Sequence, residues 1–386
     1  MQLAVDATGL DDFGEPTWRD GLVRLVTSLR EEARLNELGE AIAVGGVVDL
    51  LSNRLAITRW RQDHPEVAAG DVAPPIVIVG QARTGTTILF DLLAQDPATR
   101  SPLTWEIDRP VPPPETATYD TDPRIDEVDA VLSGVDLLMP DFRKMHPMGA
   151  RLPQECVSIT NSDFRSIIFP TQYHVPSYAK WVMYDADMAP AYRWHRQFLQ
   201  HLQSRHPAGE APADRWLVKS PAHIWCLDAL IGEYPEALMV QTHRDPLRII
   251  ASLSSLMSTL RAMTCDDPSP AEVAAEWAEY IVDGLDRSVT ARLDGTVAAD
   301  HVVDVKFRDF MADPFAAIGA VYDNLGLKLT SDSEARVRAF LAQHSQDEHS
   351  PHHYSWADTG LDLDEWRERT RRYQEHFGVE SEANLA

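Results

Sequence analysis

A glycine-containing loop at residues 80–87 carries the residue types that bind phosphate groups. Its glycines follow the spacing Gly80-x-x-x-x-Gly85, and its polar residues are Arg83, Thr84, Thr86 and Thr87. Small residues let backbone N–H groups converge on an anion, and the N-terminus of a following helix adds unpaired donors. The loop therefore predicts a phosphate-binding site. The structural alternative is a plain strand-to-helix turn capped by Thr84 or Thr86.

The same spacing opens the P-loop of nucleotide hydrolases, which continues with Gly-Lys and then Ser or Thr. Here Thr86 stands at the lysine position, and Arg83 is the cation of the loop. Because that lysine contacts the outer phosphates during transfer, its replacement argues against hydrolysis of a nucleoside triphosphate.

A second group of candidate residues lies at 240–255. Arg244 follows a predicted strand, Pro246 stands where prolines favour the first turn of a helix, and Ser252 comes eight residues after Arg244. A guanidinium group offers a planar pair of donors to a phosphate, and a serine hydroxyl adds another. The pattern predicts a second phosphate contact, although a surface Arg244–Asp245 pair would give the same residues.

Lys219 and His223 form a third group, in the stretch LVKSPAH at the end of another predicted strand. Three short runs rich in β-branched residues follow the first strand at 74–80, namely 215–220, 237–245 and 301–307. Helical patterns follow the four strands at 86–97, 222–233, 246–262 and 314–325. Alternating strands and helices predict an α/β fold, a three-layer P-loop-like core with a central parallel sheet.

The chain divides into an N-terminal segment and a main domain. Residues 1–70 form an N-terminal helical segment, with a predicted break at Gly45-Gly46, and residues 71–386 form the main domain that holds the strands. Within that domain, an insertion at about 108–210 is rich in proline and aromatic residues. Its aromatic residues include Phe164, Phe169, Tyr173, Tyr178, Trp181, Tyr184, Tyr192 and Trp194.

Composition excludes several classes of protein. The 386 residues have a formal net charge of −25, which disfavours sequence-independent binding to nucleic acid. Three cysteines, Cys156, Cys226 and Cys265, are too few for a disulfide framework and are expected to be buried thiols. The first residues are acidic, and no apolar run is expected to reach the roughly 18–20 residues of a membrane span. The sequence predicts a cytoplasmic protein and gives no indication of its oligomeric state.

Taken together, these motifs resemble those of the sulfotransferase superfamily, whose members use 3′-phosphoadenosine 5′-phosphosulfate (PAPS) and release 3′-phosphoadenosine 5′-phosphate (PAP). The bacterial branch with an arginine in the loop is most similar, and the loop also resembles that of tyrosylprotein sulfotransferases. The resemblance implies that Arg83, Thr84, Gly85, Thr86 and Thr87 wrap the 5′-phosphosulfate. It also implies that Arg244 and Ser252 bind the 3′-phosphate. Residues 305–327 resemble the family's adenine-side segment, with Phe307 at a tyrosine position.

Sulfuryl transfer to a hydroxyl group requires cations at the leaving oxygen and a base for the acceptor proton. We assign the cationic role to Arg83 and Lys219. In cytosolic sulfotransferases the base is a histidine two residues after a lysine, but that position here is Pro221. In the tyrosylprotein branch it is a glutamate a little over twenty residues after the loop arginine, which matches Glu106. We favour Glu106 over His223, and expect a third carboxylate, Glu155, to be structural.

The sequence predicts no metal site. The histidine-rich stretch at 344–355 contains His349, His352 and His353, but their spacing matches no standard zinc site. A C-terminal loop often closes over the nucleotide in this family, so the alternative role of this stretch is contact with the cofactor. We expect an enzyme that transfers sulfate to an apolar small molecule or lipid-like alcohol held by the 108–210 insertion. The rivals are a P-loop kinase or NTPase and a non-catalytic nucleotide-binding protein.

Overall fold

The computed structural model describes residues 1–138, 148–206, 215–266, 268–343 and 354–382. Contacts divide the chain into two compact units. The first, called the helical unit below, contains residues 1–73, 100–216 and 260–266. The second, the sheet unit, contains residues 74–99, 217–259 and 267–386. The N-terminal segment and most of the 108–210 insertion therefore belong to the same unit.

Along the described chain, one or more α-helices separate each strand from the next. In chain order, the α-helices and strands are α1 (Gln2–Thr8), α2 (Trp18–Glu31), α3 (Glu37–Asp63), β1 (Ile76–Val79), α4 (Thr86–Leu93), β2 (Thr99–Arg100), α5 (Thr104–Asp108), α6 (Pro123–Leu138), α7 (Val157–Thr160), α8 (Ile168–Gln172), α9 (Pro176–Lys180), α10 (Ala189–Gln203), β3 (Arg215–Lys219), α11 (Leu227–Glu233), β4 (Leu238–His243), α12 (Pro246–Thr264), α13 (Pro270–Leu293), β5 (Val302–Lys306), α14 (Phe307–Ala312), α15 (Pro314–Asn324), α16 (Ser331–Gln343), α17 (Leu363–Arg369) and α18 (Arg371–Phe377).

The five strands form one sheet in the order β2-β3-β1-β4-β5. Strand β1 pairs in parallel with β3 and β4, and β4 pairs in parallel with β5. This arrangement confirms the predicted α/β fold, with all four predicted strands in the sheet. The sequence missed β2 because its two residues are too short to show a pattern.

The core of the sheet unit lies between the sheet and the helices α4, α15 and α16. All four residues of β1 are buried, as is typical of a parallel strand covered on both faces. The buried side chains of this core are Ile76, Ile78, Leu89, Phe90, Leu92, Leu93, Leu217, Val240, Val305, Phe310, Ile318, Val321, Tyr322, Leu325 and Val337. This packing fixes the strand ends from which the candidate site is built.

The predicted helix break at Gly45-Gly46 is wrong. Helix α3 runs through both glycines, and the interruption lies before it, where the Asn36 side chain caps α3 by accepting a hydrogen bond of 2.7 Å from Gly39 N–H. By length and composition alone, α3 is apolar enough to cross a membrane, contrary to the expectation that no stretch approaches that length. A single helix of this kind is weak evidence for a span. Its Arg54 is buried and donates hydrogen bonds to three backbone carbonyl groups of the helical unit.

Most aromatic residues of the 108–210 insertion are core residues of the helical unit. Phe164 stacks on Phe169 with ring centroids 6.1 Å apart, and Tyr178 meets Phe169 edge-on at 5.7 Å. Tyr178 also lies 5.7 Å from Trp181, whereas Tyr184 is exposed. The three cysteines are buried and form no disulfide, as expected. Packing of the unit thus accounts for most of this aromatic content.

Candidate active site

Four adjacent strands place the predicted site residues at one edge of the sheet. Register pairs Ile78 with Lys219, and His243 with Lys306, so the carboxyl ends of β1, β3, β4 and β5 lie side by side. The glycine loop follows β1, Lys219 ends β3, Arg244 follows β4 and Phe307 follows β5. Ligands of open α/β sheets bind at this edge. The sheet unit therefore brings together every candidate except Glu106, which lies in the helical unit.

The glycine loop depends on a close approach between β1 and β4. Gly80 has a φ of +142°, and a Cβ atom there would lie 2.3 Å from Thr242 Oγ1 and 2.7 Å from its carbonyl oxygen. The Thr84 hydroxyl is 2.6 Å from Thr242 Oγ1 and donates a hydrogen bond of 2.6 Å to Gln81 O. Thr84 therefore anchors the loop with its side chain.

Gly85 directly precedes helix α4, has a φ of +88° and supplies no side-chain cap. Neither Thr84 nor Thr86 caps the helix, so the plain capped turn that was the structural alternative is not formed. The first N–H groups of α4 need hydrogen-bond acceptors, and an anion can supply them. A Cβ atom at Gly85 would lie 3.0 Å from the ring of Phe307, which shows how closely that ring packs on the loop.

Arg83 joins the two predicted phosphate motifs. Its Nε donates a hydrogen bond of 2.9 Å to Ser252 Oγ, and its carbonyl oxygen accepts one of 3.0 Å from Arg244 Nη1. Its backbone is left-handed, with a φ of +72°. Burial lowers the pKa of the Arg83 guanidinium, repulsion from Arg244 acts in the same direction, and Tyr354 opposes both. The loop and the start of α12 therefore form a single cationic site.

Lys219 and His223 are both buried at the end of β3. Lys219 Nζ donates a hydrogen bond of 3.3 Å to Thr87 Oγ1 and lies 5.6 Å from the centre of the Phe90 ring. These contacts direct the ammonium group toward the first turn of α4, where the loop ends. His223 lies in the turn that Ser220 begins, with the Ser220 side chain accepting a hydrogen bond of 3.1 Å from Ala222 N–H.

Arg244 binds a carboxylate. Its Nε and Nη2 donate to the two oxygens of Glu382, at 2.8 and 3.2 Å, and its guanidinium carbon lies 4.1 Å from the centre of the Phe307 ring. Arg248 also reaches this carboxylate, with 3.4 Å between Arg248 Nε and Glu382 Oε2. Sequence reasoning missed Arg248 and Glu382. Arg248 had a usable signal, since it lies one helical turn after Arg244, whereas Glu382 had none.

Glu106 is fully buried in the helical unit. One carboxylate oxygen accepts a hydrogen bond from Arg100 Nη2, and the other accepts one of 2.7 Å from Leu103 N–H. The carboxylate is thus fixed in orientation and paired with a cation. Each oxygen has a second lone pair, so these two contacts do not exhaust its accepting capacity.

The described residues contain no group of three or more His, Cys, Asp or Glu side chains placed to hold a metal ion. His349, His352 and His353 lie outside the described residues.

Comparison with known proteins decides the family. The model of the sulfotransferase family matches residues 74–332, a stretch that holds the loop, Lys219, Arg244 and Phe307. The chain belongs to the sulfotransferase family. It is therefore a transferase that moves a sulfuryl group, and the kinase alternative is not favoured.

Three relatives are mycobacterial sulfotransferases. Omega-hydroxy-beta-dihydromenaquinone-9 sulfotransferase Stf3 of Mycobacterium tuberculosis is 25% identical over 320 residues, covering 78% of this chain and 75% of the relative. The crystal structure of sulfotransferase STF1 from Mycobacterium tuberculosis has a TM-score of 0.82 and 30% identity, covering 96% of this chain and 97% of that one. Sulfotransferase STF9 from Mycobacterium avium has a TM-score of 0.87 and 29% identity, with 98% and 96% covered.

The close approach at Gly80 gives a first prediction. Gly80→Ala should lower the free energy of unfolding by about 1–3 kcal/mol, because the new methyl group meets Thr242 backbone and the φ is unfavourable for alanine. Gly232→Ala is the matched control, since Gly232 lies in α11 and a Cβ atom added there would meet no atom beyond the neighbouring helix backbone within 4 Å. That change should stabilise the protein by roughly 0.5–1 kcal/mol. Urea unfolding measures both, and equal effects would show that β1 and β4 do not approach as described.

Proposed function

We propose that this sulfotransferase takes its sulfuryl group from PAPS and transfers it to the hydroxyl group of a lipid-like alcohol. The observation that carries the donor assignment is the bidentate binding of a carboxylate by Arg244, at 2.8 and 3.2 Å. A guanidinium group that already holds an anion in this geometry suits the 3′-phosphate, the group that distinguishes PAPS from adenosine 5′-phosphosulfate.

The rest of the donor fits the same edge of the sheet. The 5′-phosphosulfate would lie on the loop, where Gly85 precedes α4, Thr86 and Thr87 begin it, and all three offer backbone N–H groups. Phe307 packs on Gly85 and Arg244, so its ring is close to both phosphate sites and suits contact with adenine. Ser252 would support the 3′-phosphate through its hydroxyl group, while Arg83 holds that hydroxyl in position.

The chemistry assigns separate tasks to the cations and the base. During transfer, a bond forms between the acceptor oxygen and sulfur, and the bond between sulfur and the 5′-phosphate oxygen breaks. Negative charge grows on that phosphate oxygen, and Arg83 and Lys219 would stabilise it. Lys219 is buried, which strengthens its electrostatic effect. PAP leaves, and the acceptor proton passes to the base.

We assign the base to Glu106, with His223 as the alternative. Glu106 has a fixed orientation, because Arg100 and Leu103 N–H hold its two oxygens. His223 lies in the sheet unit, four residues after Lys219. The fixed orientation of its carboxylate favours Glu106, and its place in the same unit as the glycine loop favours His223. Mutation distinguishes the two residues.

A lipid-like alcohol is the acceptor class that the relatives support best. The mycobacterial relative named as an omega-hydroxy-beta-dihydromenaquinone-9 sulfotransferase covers 78% of this chain. By its name, that relative acts on a long apolar molecule with a hydroxyl group. We infer the same chemical class for this chain, a hydroxyl group at the end of an apolar body.

The donor assignment predicts a difference between two nucleotides. Arg244→Ala should weaken binding of PAP by roughly 30- to 150-fold, the value of a lost charge-assisted pair, but should leave adenosine 5′-phosphosulfate nearly unchanged because it lacks the 3′-phosphate. Isothermal titration calorimetry measures both ligands, with ATP as a third. Equal losses for PAP and adenosine 5′-phosphosulfate, or tighter binding of ATP than of PAP, would contradict the assignment.

The acceptor assignment predicts dependence on apolar length. With labelled PAPS, kcat/KM should rise about fourfold for each added methylene group in a series of primary alcohols, until the binding surface is filled. A diol series of equal length, with a second hydroxyl at the far end, is the control and should react more slowly. Values of kcat/KM that do not change with the length of the alcohol would exclude a lipid-like acceptor.

The base assignment predicts an order of activities. Glu106→Gln should lower kcat by roughly 10²–10⁴, with PAP affinity retained, and His223→Asn should cost much less. Glu106→Asp keeps a carboxylate and should recover part of the loss. Because Glu106→Gln also removes the counter-charge of Arg100, the unfolding temperature is measured in parallel, with Glu155→Gln as a control. An inactive His223→Asn beside an active Glu106→Gln would assign the base to His223.

A further inference from the structure

The C-terminal segment of the sheet unit, residues 363–382, is hydrogen-bonded to the end of β4 and to the residue before α12. Asp245 accepts two hydrogen bonds from Arg367, at 2.6 and 3.1 Å, and one of 2.7 Å from Glu382 N–H. Earlier in the same segment, the Tyr373 hydroxyl lies 2.8 Å from His243 Nδ1. These contacts hold the backbone around Glu382 beside Arg244, whatever its side chain does.

The Glu382 side chain makes a different kind of contact. Its carboxylate lies between two guanidinium groups, paired with Arg244 at 2.8 Å and with Arg248 at 3.4 Å. Pro246 begins α12 between these arginines, so the carboxylate also lies near the positive end of a helix. Two guanidinium groups and a helix N-terminus that converge on one carboxylate form a site that suits an anion, and a phosphate group has oxygens for both arginines.

We propose that Glu382 is an internal competitor of the nucleotide: its carboxylate occupies the 3′-phosphate site, and PAPS or PAP must displace it to bind both Arg244 and Arg248. Arg248 is thereby a second ligand of the 3′-phosphate. The inference rests on the proposed function, since it uses Arg244 as the 3′-phosphate site. Displacement breaks only the side-chain ion pairs, because the Glu382 N–H bond to Asp245 can remain.

Glu382 weakens the binding of a nucleotide that carries a 3′-phosphate, and it does not affect one that lacks this group. A ligand with a 3′-phosphate gains both arginines when Glu382 leaves, whereas adenosine 5′-phosphosulfate has no group to replace the carboxylate. Glu382 therefore lowers the affinity for PAP relative to a chain without it. The same carboxylate would help PAP leave after transfer.

The test uses Glu382→Gln in the full chain, with Glu380→Gln as the matched control. Glu380 lies two residues earlier and pairs with the exposed Arg308 rather than with Arg244 or Arg248. Glu382→Gln should tighten PAP binding at least about fivefold, the upper value for a single exposed ion pair, because Glu382 pairs with two arginines and is only partly exposed. It should leave adenosine 5′-phosphosulfate unchanged. Glu380→Gln should change neither ligand. In an Arg244→Ala background, Glu382→Gln should have a smaller effect on PAP binding, because only Arg248 then remains for the carboxylate and the phosphate to compete for.

Arg248→Ala should weaken PAP binding at least about tenfold, with little effect on adenosine 5′-phosphosulfate. Unchanged or weaker PAP binding in Glu382→Gln, in a protein whose PAP binding still depends on Arg244, would overturn this inference alone. If the wild-type protein does not distinguish PAP from adenosine 5′-phosphosulfate, the donor assignment fails and the inference with it.

Discussion

The pair of hydrogen bonds that joins Arg83 to Ser252 and Arg244 is the interaction on which the candidate site depends. Arg83 Nε donates to Ser252, and Arg244 donates to the Arg83 carbonyl oxygen. These bonds cross from the loop after β1 to the helix after β4, so neither phosphate motif can shift without the other. They require β1 and β4 to be neighbours, and the close approach of Gly80 to Thr242 meets that condition.

The site gathers cations in a chain whose formal net charge is −25. Arg83 and Lys219 donate hydrogen bonds to hydroxyl oxygens, whereas Arg244 donates to the Arg83 carbonyl oxygen and to the Glu382 carboxylate. Hydroxyl and carbonyl partners compensate part of the cost of burial but leave the positive charge in place. The field at this edge of the sheet therefore stays attractive to anions despite the acidic surface elsewhere.

Much of this arrangement could be predicted from sequence, because the strands are short apolar runs and the candidate residues follow directly after them. The contact between Arg83 and Ser252 could not, since the direction of Arg83 depends on a left-handed backbone that no pattern reveals. The break expected at Gly45-Gly46 failed because helix propensity is a weak preference of about 1 kcal/mol for each glycine, which tertiary packing overrides. Aromatic richness in the insertion suggested a binding surface, but Phe164 and Tyr178 are core residues. Glu382 is joined to Arg244 across 138 residues, a separation at which sequence spacing carries no information.

The left-handed backbone of Arg83 sets stability against activity at one position. Its φ of +72° is a conformation that glycine or asparagine adopts at lower cost than arginine. Thermostabilisation guided by backbone geometry would therefore favour glycine at this position, and would remove the guanidinium that links the two phosphate motifs. An arginine in this conformation lowers the stability of the fold, but its guanidinium group joins the two phosphate motifs.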